Sequence, residues 1–221
     1  MSKKDSIQIV KRIKKEIEQV LTELREKEYI RDENGISDKQ TGMNEYEISY
    51  SGKTDKSSIV YDKHISGSSI MEQLLVNRQY SFLLFDKSII QAEFRIADGE
   101  VIKERLVFMK KHNRIWTSDE INYADSEDVD WFADEEGIPV FLRVDYDPEN
   151  HTECSHSKTH LTISNSDSCR IPIKNIVPFS EFMRFVLFHF YGYRLELPSF
   201  LSASDETITE LEKKMIHLNW I

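Results

Sequence analysis

The hydrophobic pattern begins with a helical spacing near the N-terminus. Apolar residues recur every three or four positions there, at Ile9, Ile13, Ile17, Val20, Leu21 and Leu24. Asp5 or Ser6 can accept hydrogen bonds from the backbone amides of a first helical turn. The pattern therefore predicts one amphipathic helix over residues 6–27, with its apolar stripe facing a core.

A pattern typical of strands follows the polar stretch between residues 31 and 63. Short strands are predicted at Tyr46–Tyr50 and Ile59–Tyr61, and a short helix at about Ile70–Asn77. Three longer runs are rich in β-branched and aromatic residues, and the connections between them are short enough for hairpins. These runs, which predict an antiparallel meander, are Tyr80–Phe85, Ile89–Ile96 and Val101–Met109.

The meander is predicted to have one apolar face and one polar face. In its second run, apolar residues at positions 90, 92, 94 and 96 alternate with polar residues at positions 91, 93 and 95, so the two sets lie on opposite faces. If the register allows, the polar face carries Glu93, Arg95, Lys103 and Arg105. One explanation of these residues is a solvated sheet face with cross-strand charge pairs. The alternative is that this face lines a groove.

The chain then becomes acidic. Asn113–Thr117 is predicted as a short strand, and Ser118–Gly137 carries nine acidic residues without a Lys or Arg. Asp125, Asp128 and Asp130 could hold a divalent cation, but they lack the spacing of a calcium-binding loop. A solvated helix or loop is the more ordinary explanation of such a run.

The densest cluster of chemically active side chains lies between two predicted strands, Val140–Tyr146 and Thr159–Ile163. Alternation places Arg143 and Asp145 on the same side of the first strand. If the strands pair as a hairpin, His160 joins them, and histidines of the connecting loop can reach the same face. The cluster consists of Arg143, Asp145, Asp147, His151, Cys154, His156 and His160.

The C-terminal part is predicted to be helical. Asn175–Gly192, with Pro178 near its start, is apolar nearly all round and is expected to pack on the sheet core. An oligomer interface is the alternative use of this apolar surface. A last amphipathic helix is predicted from Ser204 to about Leu218.

Together these elements predict a single α+β domain over residues 1–221. Its antiparallel sheet, a meander of about six or seven strands at residues 46–173, is flanked by the N-terminal helix and by a C-terminal helical pair at residues 176–218. The formal net charge of -10 argues against a whole-molecule electrostatic grip on nucleic acid. Two cysteines, the lack of a signal-peptide pattern and the lack of a long apolar run predict a cytoplasmic protein without membrane contact.

The residues between Arg143 and His160 allow three interpretations. In the first, a carboxylate orients a histidine, two histidines serve as base and acid, and an arginine stabilises negative charge, which suffices to cleave a ribonucleotide backbone without metal. In the second, zinc or another transition metal binds to side chains without a standard ligand spacing, namely His151, Cys154, His156 and His160. In the third, hydrogen-bonded loop residues and an Arg143–Asp145 pair are purely structural.

Several motifs of this region also carry a resemblance. They are Leu142-Arg143-Val144-Asp145-Tyr146-Asp147, His151, His156, His160-Leu161-Thr162-Ile163, Arg170-Ile171-Pro172, Pro178, Phe182 and Phe190-Tyr191. In this order they resemble a bacterial family of uncharacterised proteins called domain of unknown function 2290, which implies no activity. That family favours a proline after the histidine matched by His156, where this chain has Ser157. The pattern of arginine, aspartate and histidines is also loosely similar to small bacterial toxin-like proteins, by analogy only.

Two functional hypotheses follow. The first is a cytosolic bacterial enzyme that acts on RNA or another phosphodiester in a toxin or phage-defence setting, with catalytic residues Arg143, Asp145, His156 and His160. The second is a non-catalytic binding or regulatory subunit that docks a protein partner through Phe179–Tyr193 or the acidic run. The net negative charge favours the second hypothesis, because it repels a phosphodiester at long range. The sequence identifies no cofactor and leaves the metal and the oligomeric state open.

Overall fold

The fold is built on one antiparallel sheet, seen in a computed structural model that describes residues 3–61, 64–111, 140–164, 169–197 and 206–220. The helices are α1 (Lys3–Glu26), α2 (Gly67–Val76) and α3 (Phe179–Tyr191). The strands are β1 (Ile30–Glu33), β2 (Ile36–Gly42), β3 (Glu45–Tyr50), β4 (Phe82–Leu84), β5 (Ile89–Ala97), β6 (Glu100–Lys110), β7 (Val140–Tyr146), β8 (Thr159–Ile163) and β9 (Arg170–Pro172). The α+β class is therefore confirmed. The predicted strand Asn113–Thr117 and the acidic run Ser118–Gly137 lie outside the described residues.

Neighbouring strands of the sheet are mostly consecutive in the chain. Their order is β1-β4-β5-β6-β7-β8-β9, while β3 pairs with the later part of β5, and β2 pairs with β3. The described sheet thus has nine strands rather than about six or seven. Sequence patterns missed β1 and β2 because their residues are polar or largely exposed and do not alternate. The three-residue β9 is too short to give a periodic signal.

The helices cover the two faces of the sheet unequally. Helices α1 and α3 pack on one face over the larger apolar core, and α1 buries its predicted stripe from Ile13 to Leu24. Helix α2 covers part of the other face, where Ile70 and Leu74 belong to a smaller apolar cluster with Val107 and Phe141. Beyond α2 this second face is polar, and we call it the polar face.

Two elements differ from their predictions. Ile59–Tyr61, predicted as a strand, belongs to a 3-10 helix over Asp55–Tyr61. The predicted last helix is absent from residues 206–220, which hold a single 3-10 turn at Glu212–Lys214. Instead, the amide of Thr207 donates to the carbonyl of Lys174, and the amide of Leu218 donates to the carbonyl of Pro172, both at 2.8 Å. These bonds to the end of β9 and to the chain after it use amides that a helix needs for its own hydrogen bonds.

Helix α3 confirms the predicted apolar helix, although it begins later than predicted. It follows Pro178 and ends at Gly192, whose φ of 65° suits a glycine C-cap. Most of its apolar side chains are buried in the larger core. No helix in the described ranges is both long and apolar enough to cross a membrane.

Candidate functional site

A row of charged side chains crosses the polar face of the sheet. The register pairs Glu93 with Arg105, Arg105 with Asp145, and Asp145 with His160, on strands β5 to β8. Arg143 lies on the same side of β7 as Asp145, because side chains alternate along a strand. The sheet therefore brings Arg143, Asp145 and His160 together on one face.

Asp145 is buried between two guanidinium groups. Arg143 Nε donates to its Oδ2 at 2.5 Å, and Arg105 Nε donates to its Oδ1 at 3.1 Å. Burial raises the pKa of Asp145, but the cations of Arg143 and Arg105 together lower the pKa by more than burial raises it. The pKa therefore lies below its usual value. Asp145 is therefore ionised at neutral pH, and its carboxylate fixes both arginines.

His160 is held in one orientation by the backbone. Its Nδ1 lies 2.8 Å from the carbonyl oxygen of Ser157, which can only accept, so the neutral ring carries its proton on Nδ1. Its Nε2 lies 3.7 Å from Asp145 Oδ2. Burial lowers the pKa of His160 more than Asp145 raises it. With a side chain that is 1% exposed, His160 is a neutral, enclosed histidine at neutral pH.

His156 is the more accessible histidine of the pair. Its half-buried ring packs edge-on against His160, with 4.8 Å between the ring centroids. Burial and the cation of Arg170 lower the pKa of His156 more than Asp147 and Asp145 raise it. A neutral imidazole that solvent can reach is able to accept a proton at neutral pH.

A buried carboxylate on the C-terminal segment holds the loop that carries His156. Glu212, which is 0% exposed, accepts hydrogen bonds on Oε1 from Ser157 Oγ at 2.7 Å and from the amide of Cys154 at 3.3 Å. Its Oε2 accepts the amide of Thr209 at 2.8 Å, and Thr209 Oγ1 accepts the amide of Glu212 in return. This reciprocal pair is a capping box. Ser157, at the position where the resembling family favours proline, thus has a hydrogen-bonding partner of its own.

Sequence patterns missed Thr209 and Glu212, and they did not connect Arg105 to Asp145. The Thr-x-x-Glu spacing of Thr209 and Glu212 was available as a capping-box signal, but the helix predicted from Ser204 placed both residues inside a helix. Arg105 was predicted on the polar face, yet its contact with Asp145 depends on the register between β6 and β7. These strands are separated by residues 111–139, so no short hairpin connection fixes their register.

The structure does not gather the four side chains of the zinc hypothesis. His151 Nε2 lies 3.4 Å from Glu212 Oε1, and Cys154 contacts the same carboxylate through its backbone amide. Among the residues that the structure describes, no group of three or more His, Cys, Asp or Glu side chains is placed to hold a metal ion. The aspartates of the acidic run, Asp125, Asp128 and Asp130, lie outside these ranges.

A mainly apolar groove lies on the side of the sheet that α3 covers. Its volume is about 550 Å³, and its lining includes Ile163 of β8, Trp220 of the C-terminal segment and Phe185, Phe188 and His189 of α3. Phe188 is 46% exposed, although most apolar side chains of α3 are buried. Part of the predicted Phe179–Tyr193 docking region is therefore accessible.

Comparison with known proteins identifies a family. Searches of curated proteins and of solved structures gave no significant match. A family model described as "Uncharacterized conserved protein (DUF2290)" matches residues 29–220. The matched range includes the whole described sheet, the histidine pair and the Glu212 carboxylate. The chain therefore belongs to the DUF2290 family of uncharacterised conserved proteins.

Proposed function

We propose that the polar face of this protein cleaves phosphodiester bonds, with RNA as the substrate. The observation that supports the proposal is the state of His156, a half-buried imidazole whose pKa is lowered by burial and by Arg170. Such a group is unprotonated at neutral pH and can act as a general base. The surrounding arginines supply positive potential where a phosphate would bind.

The reaction follows from the chemistry of the RNA backbone. His156 takes the proton of a 2′-hydroxyl group, whose oxygen attacks the adjacent phosphorus. The bond between phosphorus and the 5′ oxygen breaks, the leaving oxygen takes a proton from water, and a 2′,3′-cyclic phosphate remains. Arg143, which is 5% exposed, stabilises the negative charge that develops on the phosphate oxygens through its positive potential rather than by direct contact.

His160 and Asp145 act through other residues in this proposal. His160 is too enclosed to touch a substrate, and its ring instead supports His156 from one side. Asp145 fixes Arg143, so that the cation keeps its position on the polar face. This division of roles differs from the sequence hypothesis, in which His156 and His160 serve as base and acid.

Cleavage of RNA by purified protein tests the proposal. The His156→Ala variant is expected to cleave total RNA about 100-fold more slowly than wild type, because a general base contributes at least that much. The matched control is His189→Ala, which removes an exposed histidine of α3 on the other side of the sheet. Equal cleavage by wild type and His156→Ala would remove His156 from the mechanism.

The toxin or phage-defence setting is tested in cells. Induced expression of wild type is expected to arrest bacterial growth and fragment total RNA, whereas the His156→Ala/His160→Ala double variant does neither. Equal growth with intact RNA in both strains would count against a nuclease.

The apolar groove supports a second candidate function, a non-catalytic subunit that binds a protein partner. The exposed ring of Phe188 at the edge of the groove favours an apolar segment of the partner as the occupant. We expect the purified protein and its purified partner to form a stoichiometric complex. We expect the Phe188→Asp variant not to form it. A complex that forms equally well with Phe188→Asp would exclude the groove, and self-association lost in this variant would indicate a second copy.

A further inference from the structure

A second cavity opens on the polar face beside the charged row. It has a volume of about 320 Å³ and lies over β3, β5 and β6. The register places Glu47, Arg95 and Lys103 in one row across these strands, and Glu93 and Arg105 in the next. Lys53, from the chain after β3, completes the charged lining. We call this cavity the cationic pocket.

We propose that the cationic pocket binds a backbone phosphate of a single-stranded RNA chain whose cleaved bond lies at His156. This inference rests on the proposed function, since it names how the same face holds its substrate. It adds a binding site for a non-reacting phosphate and identifies the substrate as a polynucleotide rather than a mononucleotide.

The lining of the pocket carries more cations than carboxylates. Four cationic side chains line it against two carboxylates, in a chain whose net charge is -10. Lys53 Nζ donates to both carboxylates, those of Glu47 and Glu93, at 2.8 Å. Lys103 is paired with Asp147, and Arg105 is paired with Asp145 and lies 4.0 Å from Glu93, so Arg95 is the lining cation that remains to face an incoming anion.

Arg95 is the cation best placed to contact a phosphate. It is exposed, and it takes part in no ion pair among the described residues. Its neighbours are held in place by other carboxylates, because Lys103 Nζ lies 2.9 Å from Asp147 and Arg105 Nε lies 3.1 Å from Asp145. A guanidinium fork matches phosphate geometry, so Arg95 can bind it bidentately between two positioned cations.

The lining favours a backbone phosphate over a base. Phe94 is the aromatic residue among the described lining residues, and its side chain belongs to the apolar core on the opposite face. Bases bound without hydrogen-bond readout need an exposed ring to stack on. The pocket is therefore expected to hold RNA without sequence preference, through phosphate contacts alone.

The separation between the pocket and the histidines favours a polynucleotide. Arg105 on β6 and His160 on β8 lie in the same row two strands apart, a distance of roughly 10 Å at the usual strand spacing. One phosphate cannot contact both places at once. A chain of several nucleotides can occupy the pocket and His156 together.

Binding measured without cleavage tests the inference. The probe is a short, fluorescently labelled single-stranded RNA, and every protein carries His156→Ala, so that the RNA stays intact. Adding Arg95→Gln is expected to weaken binding about tenfold, as the loss of a charged hydrogen bond would. The slope of the logarithm of affinity against the logarithm of salt concentration should fall by about 0.7 for one lost phosphate contact.

The matched control is Arg12→Gln, which removes an exposed cation of α1 rather than of the pocket. It is expected to leave both the affinity and the salt slope unchanged. Unlabelled inorganic phosphate and a nucleoside monophosphate should compete only weakly. The inference is overturned if Arg95→Gln and Lys103→Gln both bind like their parent, if no RNA binding occurs, or if the monophosphate competes as well as RNA does.

The two proposals can fail separately. RNA cleavage by wild type at sub-saturating RNA that neither Arg95→Gln nor Lys103→Gln slows would overturn the pocket and keep the proposed function. RNA binding that depends on Arg95, together with intact RNA in the presence of wild type, would overturn the proposed cleavage while the pocket stands as a binding site.

Discussion

At the scale of single residues, one carboxylate organises much of the polar face. Asp145 joins Arg143 of its own strand to Arg105 of the neighbouring strand, and all three side chains lose most of their contact with water. The paired charges stabilise one another only as long as both signs are present. Removal of either the carboxylate or a guanidinium group is therefore expected to destabilise the site.

We predict that Asp145→Asn destabilises the protein by about 3 kcal/mol or more, because two guanidinium groups then lose their counter-charge in a buried place. The free energy of unfolding in urea measures the effect. The control is Asp38→Asn, which breaks the surface pair between Asp38 and Lys14, whose side chains are 36% and 37% exposed. That change is expected to cost less than about 1 kcal/mol, and an equal cost for both variants would contradict the prediction.

A second residue-scale prediction concerns the pH dependence of RNA cleavage. A general base works in its unprotonated form, so the rate rises with pH through the pKa of His156 and then levels off. Since that pKa is lowered from 6.5, half of the maximal kcat/KM is expected below pH 6.5. A pH series of initial rates measures the midpoint, and a rate that falls as pH rises through this range would exclude His156 as the base.

At the scale of elements, the His156 loop is fixed from outside the hairpin that carries it. Its strands β7 and β8 set the direction of the loop, but the Glu212 carboxylate binds the loop through Ser157 and Cys154. Thr209 in turn orients Glu212. Hydrogen bonds thus link the loop, which the sheet carries, to the C-terminal segment.

We predict that Glu212→Gln loosens this loop without opening the sheet, because the amide side chain loses one of the two acceptor oxygens. Hydrogen exchange should speed up at the amides of Cys154 and Thr209, while amides within β7 and β8 keep their protection. The Glu210→Gln variant, in which the changed side chain is 88% exposed, is the control and should exchange like wild type. Unchanged exchange at Cys154 in Glu212→Gln would show that the carboxylate does not hold the loop.

Comparison of the elements with their predictions shows where local pattern suffices. Strands β7 and β8 were predicted with their observed bounds, since both are short runs rich in apolar and β-branched residues in which polar side chains fall at alternate positions. The segment Ile59–Tyr61 is too short for its period to be decided. The final segment has a helical pattern, but hydrogen bonds to Lys174 and Pro172, distant in sequence, override it.

The contacts of the candidate site fall into the same two groups, those that local pattern predicts and those that depend on tertiary structure. The shared face of Arg143 and Asp145 follows from alternation within one strand, and the contact with His160 follows from a hairpin. The contacts of Arg105 and Glu212 cross long stretches of chain, and so they depend on tertiary structure. Local periodicity therefore predicted which side chains share the candidate site but not the distant residues that hold them in place.

At the scale of the whole molecule, buried and half-buried carboxylates on the two faces of the sheet respond to pH in opposite senses. Asp145 and Asp147 on the polar face and Glu212 at its edge have lowered pKa values, in each case because cations or hydrogen bonds outweigh burial. Their contribution to stability is present above the ordinary pKa of a carboxyl group and is lost as pH falls. Acid is therefore expected to loosen the polar face.

The helix-covered face contains the opposite case. Glu104 of β6 is 2% exposed, and burial, followed by the nearby carboxylate of Glu16, raises its pKa well above 4.5. Its Oε1 has no hydrogen-bond partner among the described residues. Glu16 is also buried, accepts the amide and hydroxyl of Ser180 at the start of α3, and has a pKa raised by burial. The folded state therefore favours the protonated form of both groups.

We predict that Glu104→Gln stabilises the protein at neutral pH and moves its pH of maximal stability upward. In wild type the folded state holds a proton on Glu104 that the unfolded chain has released, so stability falls as pH rises from about 4.5 toward the raised pKa, by about 1.4 kcal/mol per pH unit. The glutamine amide is neutral at every pH, so this loss of stability disappears in the variant.

Urea unfolding across a pH series, with Glu100→Gln on the exposed end of β6 as control, measures the difference. Parallel stability curves for wild type and Glu104→Gln would mean that Glu104 keeps an ordinary pKa in the folded protein, and the fall in stability toward neutral pH would then have to come from Glu16.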